Sequence, residues 1–252
     1  NVLWKWTIGD FMKIEVIPIM DSNWPIIDNN KVFFALAEEV FVADLKTGKE
    51  VWRFKDDNNF YPMGLAAGDG KLFVTVNDDD NQDRISAGFV YALDKETGKF
   101  LWKFKTDKGI PYSLPLYADG KIFVGDISGN VYAINANGEL VWKKYLKGAA
   151  VIHSSPAYDN GIIFVGTEDS IGQSSKPSHL YALNPENGET VWSFETDVIS
   201  GKLNLIHATP SILDNVVYFG AENGYFYALS SKDGSLIWKQ NIASGSGELI
   251  GV

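Results

Sequence analysis

The sequence contains no cysteine and only three histidines among 252 residues. Without cysteine there is no disulfide framework, no Cys-ligated zinc or iron–sulfur cluster, and no thiol nucleophile. The compartment stays open, because a chain with a large core can be secreted without disulfides. No apolar run approaches the roughly 18 residues of a membrane span, so membrane insertion is not expected. A basic excess is also missing. With 22 Lys plus Arg against 32 Asp plus Glu, the formal net charge is −10. That balance disfavours nucleic acid and anionic membrane surfaces as partners. The first residues lack the basic start and apolar core of a signal peptide. The chain opens on Asn1 rather than Met, which suggests a processed or excised product. No helical period is found anywhere.

The sequence is otherwise globular, at 45% hydrophobic and 13% aromatic residues. Its organisation is a repeat. Trp4, Trp52, Trp102, Trp142, Trp192 and Trp238 share one local context, spaced by 48, 50, 40, 50 and 46 residues. Five of them follow a glycine by four positions: Gly48, Gly98, Gly138, Gly188 and Gly234. A short β-prone run such as Val90–Leu93 precedes each polar stretch that ends in that glycine. This predicts a hairpin whose glycine takes the positive φ of the turn, and whose tryptophan strand returns antiparallel. Asp44, Asp94 and Asn184 share one frame and read as turn-stabilising Asx residues. An indole at fixed depth offers a large apolar face to a neighbouring repeat, and its N–H seeks a polar partner.

A second hairpin lies upstream of each copy. Its turn pairs are Asn29-Asn30, Asp69-Gly70, Asp119-Gly120, Asn160-Gly161 and Asp214-Asn215, which favour tight primed turns. One unit is therefore four short antiparallel strands over 40–50 residues, the signature of an all-β propeller. The expectation is one domain over residues 1–252, with repeats at about 1–52, 53–102, 103–142, 143–192 and 193–238. Terminal strands at 2–7 and 247–252 would share a split or incomplete sixth blade, with 12–20 as a candidate filler. Open strand edges leave self-association as an alternative.

The pattern Ala-x-Asp-x-x-Thr-Gly-x-x-x-Trp, followed by a Ser-x-Pro strand, resembles the PQQ-type repeat family. That family takes in quinoprotein alcohol dehydrogenases, the propeller lipoprotein of the outer-membrane β-barrel assembly machinery, and prokaryotic surface or sensor domains. The resemblance implies a place outside the cytoplasm: extracellular, cell-envelope or periplasmic. It does not carry the dehydrogenase activity across. The disulfide ring under the cofactor in those enzymes is impossible here without cysteine, and no Asp or Glu matches their calcium and catalytic positions. PQQ is therefore not expected as a cofactor. Nor is there a Gly-x-Ser-x-Gly elbow, a His-Glu-x-x-His pair or a phosphate-binding loop.

Connection lengths vary strongly at one end of the units. The loop between second and third strands is short at 127–129 and long at 77–88 and 168–178. The link from the Trp strand to the next unit also lengthens, most of all after Trp192 and Trp4. In an up-and-down blade both kinds of connection leave on one face, and loops on a rigid scaffold are where binding usually resides. On that face, three residues before the recurrent Pro or Gly, stand Tyr61, Tyr112, His153 and His207, a candidate collar around a channel mouth. The plainer reading has His153 and His207 bonding backbone across blades. A two-His metal site finds no recurring carboxylate beside them.

The acidic run 77–83 admits calcium through Asp78, Asp80 and Asp83. Position six is Asp83 rather than Gly, and position twelve is Phe89 rather than Glu, so a solvated loop is the preferred reading. The functional expectation is a non-catalytic scaffold binding protein or surface glycan through the long-loop face. The alternatives are a structural subunit joined by edge strands, and a catalytic propeller, either a quinoprotein fragment or a glycan-active enzyme.

Overall fold

The computed structural model describes residues 24–36, 38–56, 60–78, 87–110, 113–147, 154–168 and 176–242. They form five four-stranded antiparallel sheets, each a meander of consecutive strands. The first holds β1 (Ile26–Asp28), β2 (Lys31–Leu36), β3 (Glu39–Asp44) and β4 (Glu50–Phe54). The second holds β5 (Phe60–Gly68), β6 (Lys71–Asp78), β7 (Gly88–Asp94) and β8 (Phe100–Lys105). The third holds β9 (Leu116–Ala118), β10 (Lys121–Gly125), β11 (Asn130–Asn135) and β12 (Leu140–Tyr145). The fourth holds β13 (Ala157–Asp159), β14 (Ile162–Gly166), β15 (His179–Leu183) and β16 (Thr190–Glu195). The fifth holds β17 (Ser211–Leu213), β18 (Val216–Ala221), β19 (Tyr225–Ser230) and β20 (Leu236–Asn241). This is the expected all-β propeller. Trp4 and the segments 2–7, 12–20 and 247–252, on which the sixth blade depends, lie outside the described residues.

Local chemistry explains the strand ends. The first turn of each blade has both central residues at positive φ, as in Asn29 (44°) with Asn30 (62°) and Asp119 (48°) with Gly120 (70°). Only Asn, Asp and Gly tolerate this readily, and the primed turn matches the twist of the paired strands. The turn into the tryptophan strand is held by an Asx side chain. Asp44 Oδ1 accepts from Thr47 N and Thr47 Oγ1, both at 2.8 Å, and Asp94 repeats this with Thr97. Those bonds to Thr47 hold the Asp44 carboxyl below the usual range. A bulge then falls in every third–fourth strand pair, one residue beyond the tryptophan's partner. That partner is Ala in four blades (Ala92, Ala133, Ala182, Ala228) and Val42 in the first, so a small residue leaves room for the indole.

The core lies between the blades. Phe33, Val42 and Trp52 of the first blade pack on Leu72, Val74 and Leu93 of the second. Three similar clusters join second to third, third to fourth and fourth to fifth. Each interface uses the same seat. The indole of Trp142 covers Gly188 so closely that a Cβ there would lie 2.7 Å from the ring. Trp52, Trp102 and Trp192 cover Gly98, Gly138 and Gly234 in the same way. The indole Nε1 donates to a carbonyl in the same turn: Trp52 to Lys95 O (3.1 Å), Trp102 to Ala136 O (3.1 Å), Trp142 to Pro185 O (2.9 Å) and Trp192 to Ser231 O (3.0 Å). Burying a Trp this way combines its large apolar area with a satisfied N–H.

Candidate functional site

An up-and-down blade has two ends. At one, the β1–β2 type of turn and the Asx–Gly turn are short and nearly identical in every copy. At the other, the links between second and third strands run over 37–38, 79–87, 126–129, 167–178 and 222–224. The blade-to-blade connections leave at this same end and reach their greatest described length at 196–210. Variation is thus confined to one face, as the repeat alignment implied.

Beneath that face a belt of hydroxyls ties the inner strands together. Ser154 Oγ donates to Ala208 O at 3.2 Å and accepts from Gly166 N at 3.1 Å. Ser155 Oγ accepts from Leu114 N at 2.8 Å, and Ser113 Oγ donates to Ser154 O at 3.5 Å. Thr75 Oγ1 reaches both Gly64 O and Ser113 O. These groups are buried, so each bond satisfies backbone atoms that would otherwise be stranded between blades. The Ser-x-Pro motif is therefore a cross-blade fastener.

His207 does something else. Its Nδ1 lies 2.9 Å from Glu222 Oε1, and its Nε2 lies 3.4 Å from Glu168 Oε1. Glu168 follows β14 of the fourth blade and Glu222 follows β18 of the fifth, so the ring bridges two blades at the long-connection end. Burial alone would lower the histidine pKa. The two carboxylates outweigh it and raise the pKa to about 9. His207 is an imidazolium at neutral pH. Two carboxylates thus stand beside His207. Neither glutamate repeats among the copies, so neither shows in an alignment of repeats. The two carboxylates take opposite nitrogens of the ring, which suits a charge clamp rather than chelation. Among the described residues no group of three His, Asp or Glu is placed to hold a metal.

The other candidate residues divide as follows. Tyr61 lies on β5 and is 36% exposed, at the entrance to the second blade. His207 is at the entrance to the fifth. Tyr112 and His153 lie outside the described residues, as do Asp80 and Asp83; Asp78 is the last residue of β6. His179 opens β15 with its Nε2 at 3.2 Å from Glu195 Oε1, a strand-to-strand contact within its own blade.

One non-repeating carboxylate is deeply buried. Asp126, fully inaccessible, accepts from Ser128 N, Ser128 Oγ, Asn130 N, Asn130 Nδ2 and Tyr132 Oη over 2.7–3.0 Å. Its acceptor capacity is spent on one tight loop, which shapes the short connection at 126–129. Burial holds the Tyr132 hydroxyl above the usual tyrosine range, and the Asp126 carboxylate adds to this.

Known proteins fit this geometry. The chain is 30% identical over 134 residues to a polyvinylalcohol dehydrogenase of a Pseudomonas species, a match covering 49% of this chain and 21% of that protein. It is 28% identical over 127 residues to outer membrane protein assembly factor BamB of Yersinia pestis, covering 50% of this chain and 30% of that one. Among solved structures, a europium-containing methanol dehydrogenase superposes with a TM-score of 0.69 at 19% identity, over 86% of this chain and 50% of that one. The matches thus span less than a third of these curated relatives and half of the solved structure, and the likeness to the last is one of fold. A family model described as outer membrane protein assembly factor BamB matches residues 22–102 and 86–249. With nearly the whole described propeller inside that match, the chain belongs to this family of PQQ-type repeat propellers.

Proposed function

We propose that this chain is a non-catalytic, protein-binding propeller of the cell envelope, and that it holds its partner on the long-connection face. The observation that carries the reading is the asymmetry of the two ends. The connections that follow β6, β14 and β16 leave from one end of the blades and differ in length, while the Asx–Gly turns of the other end are near copies. Scaffold turns are uniform because the fold constrains them; loops on a rigid scaffold are free to be shaped by a ligand. Membership of the assembly-factor family supports a protein partner. Dehydrogenases also stand among the relatives, so the absence of cysteine from this chain weighs against the quinone chemistry that the resemblance first suggested. Tyr61 and the His207 clamp mark the rim of the proposed contact.

A photo-crosslinking amino acid placed at Tyr61 or Leu203, compared with one at Lys121 or Asn160 on the uniform face, tests this in native envelope extracts. A discrete protein adduct formed only from the first pair is expected. Adducts formed equally from both faces, or only from the uniform face, would overturn the reading. An adduct sensitive to glycosidase would move the ligand class to a surface glycan.

A further inference from the structure

Four asparagines of this chain stand directly before a glycine: Asn137, Asn160, Asn187 and Asn223. Asparagine is thermolabile. It is most so before glycine, which puts no side chain in the way of its own nitrogen's attack on the asparagine Cγ. The fold treats the four pairs differently. Gly138 N donates to Asn135 O at 3.0 Å, Gly188 N to Asn184 O at 2.9 Å and Gly224 N to Ala221 O at 3.0 Å. Each of these nitrogens is thus tied to a carbonyl of its own turn. Gly138 and Gly188 also lie beneath the indoles of Trp102 and Trp142. The Asn187 Oδ1 accepts from Glu189 N at 2.9 Å. Asn223 is itself buried, with its Nδ2 donating to Asp197 O and Tyr227 Oη and its Oδ1 accepting from Tyr225 N.

Asn160 and Gly161 lack this shelter. They are the central residues of the turn between β13 and β14, both exposed and both at positive φ, 47° and 77°. Among the described residues Gly161 N reaches no backbone carbonyl. Its N–H faces the Tyr158 hydroxyl, which donates to Asp119 Oδ2. Nothing stands within 4 Å of where a Gly161 Cβ would lie, so the approach is open. The Asn160 Nδ2 donates to Asp159 Oδ2 at 2.9 Å, a contact the amide gives up as it leaves.

We propose that Asn160 is a self-modification site, converted by water to aspartate and isoaspartate ahead of the other three asparagines. Gly161 N attacks Asn160 Cγ and the Cγ–Nδ2 bond breaks. The proton of Gly161 N departs with the amide nitrogen as ammonia. Water then opens the five-membered imide at either carbonyl. One opening leaves an ordinary aspartate. The other routes the main chain through the side-chain carbon and adds one atom to the turn. The turn sets the register Asp159↔Ile162, Tyr158↔Ile163 and Ala157↔Phe164, so the longer link acts first on the three-residue β13. Either product places a new carboxylate next to Asp159, at the uniform end of the blades.

Peptide mapping by mass spectrometry, on the full chain aged in mildly alkaline buffer, tests this. Methyl transfer by an isoaspartyl carboxyl methyltransferase is the second readout. Releasing a turn hydrogen bond before attack slows the reaction by about tenfold, so native Asn160 should convert about ten times faster than Asn137 or Asn187. Asn223 should be slower still. In chain aged in denaturant the four rates should converge, since each asparagine precedes glycine. Asn160→Gly keeps the positive φ, removes the amide, and should abolish the early methyl acceptance of the native chain. Native conversion led by another asparagine, or equal at all four, would overturn the proposal. So would methyl acceptance unchanged in Asn160→Gly, or the same order of rates in denaturant, which would assign the selectivity to local sequence rather than to the turn.

Discussion

His207 Nδ1 and Glu222 Oε1 stand 2.9 Å apart at the long-connection end of the fifth blade, and Glu168 of the fourth blade lies 3.4 Å from the other ring nitrogen. The histidine pKa is raised from 6.5 to about 9. A raised folded-state value means the clamp's stability is fully present below pH 6.5 and is lost as the pH climbs through 9. The two-and-a-half-unit difference corresponds to at most about 3 kcal/mol. Denaturant unfolding at pH 6 and at pH 10 should show the native chain losing more stability than His207→Gln over that interval. At pH 6 the variant should be weaker by about 2–3 kcal/mol, because two carboxylates are left without their cation. Parallel pH profiles for the two proteins would remove the clamp.

Gly188 and Gly120 separate two meanings of a turn glycine. Both have positive φ, 71° and 70°, but a Cβ at Gly188 would lie 2.7 Å from the Trp142 ring, while Gly120 has nothing within 4 Å. Gly120→Ala should cost only the left-handed backbone, roughly 1 kcal/mol. Gly188→Ala adds displacement of a seated indole, and about 3 kcal/mol is expected. Equal midpoints in urea for the two variants would show that the seat yields freely.

Repetition decided how much of this was legible beforehand. Five copies made the strands, the primed turns and the Trp–Gly spacing readable, because each position was seen five times. The glycine was read only as a φ > 0 residue, and its second duty, lying under the preceding blade's tryptophan, appears only when blades are stacked. The Glu168–His207–Glu222 clamp was not readable. Its carboxylates sit in non-repeating loops and converge on His207 only in three dimensions. Nor was the exposure of Trp238, whose local sequence matches that of Trp192, buried at 9%. Sequence context records what a residue can dock on; position along the stack decides whether anything does.

The indole bond itself can be weighed. Trp192 is 9% exposed, and its Nε1 donates to Ser231 O at 3.0 Å. Trp192→Phe keeps an aromatic body but strands that carbonyl, and should cost about 2–3 kcal/mol. Trp238→Phe loses no such bond among the described residues and should stay within about 0.5 kcal/mol of the parent. Thermal unfolding of the two variants side by side checks the contrast. A comparable loss in both would mean that Trp238 is covered in solution.

Asp126 provides the sharpest test of the short connection. Its carboxylate accepts five bonds from Ser128, Asn130 and Tyr132 while fully buried, and Tyr132 Oη in turn accepts from Asp107 N at 3.0 Å. Asp126→Ala removes every one of those acceptors at once and leaves the donors without water to replace it, for an expected loss of about 3–4 kcal/mol. Asp126→Asn retains one carbonyl oxygen for the backbone donors but turns an amide toward Asn130 Nδ2 and Tyr132 Oη. Asp126→Asn should therefore fall between Ala and the parent in stability. Amide exchange at Ser128 and Asn130 resolves where the loss lies. Faster exchange there, with β10 and β11 still protected, would place the carboxylate as the organiser of the 126–129 loop alone. Faster exchange across both strands would make it a support of the whole blade.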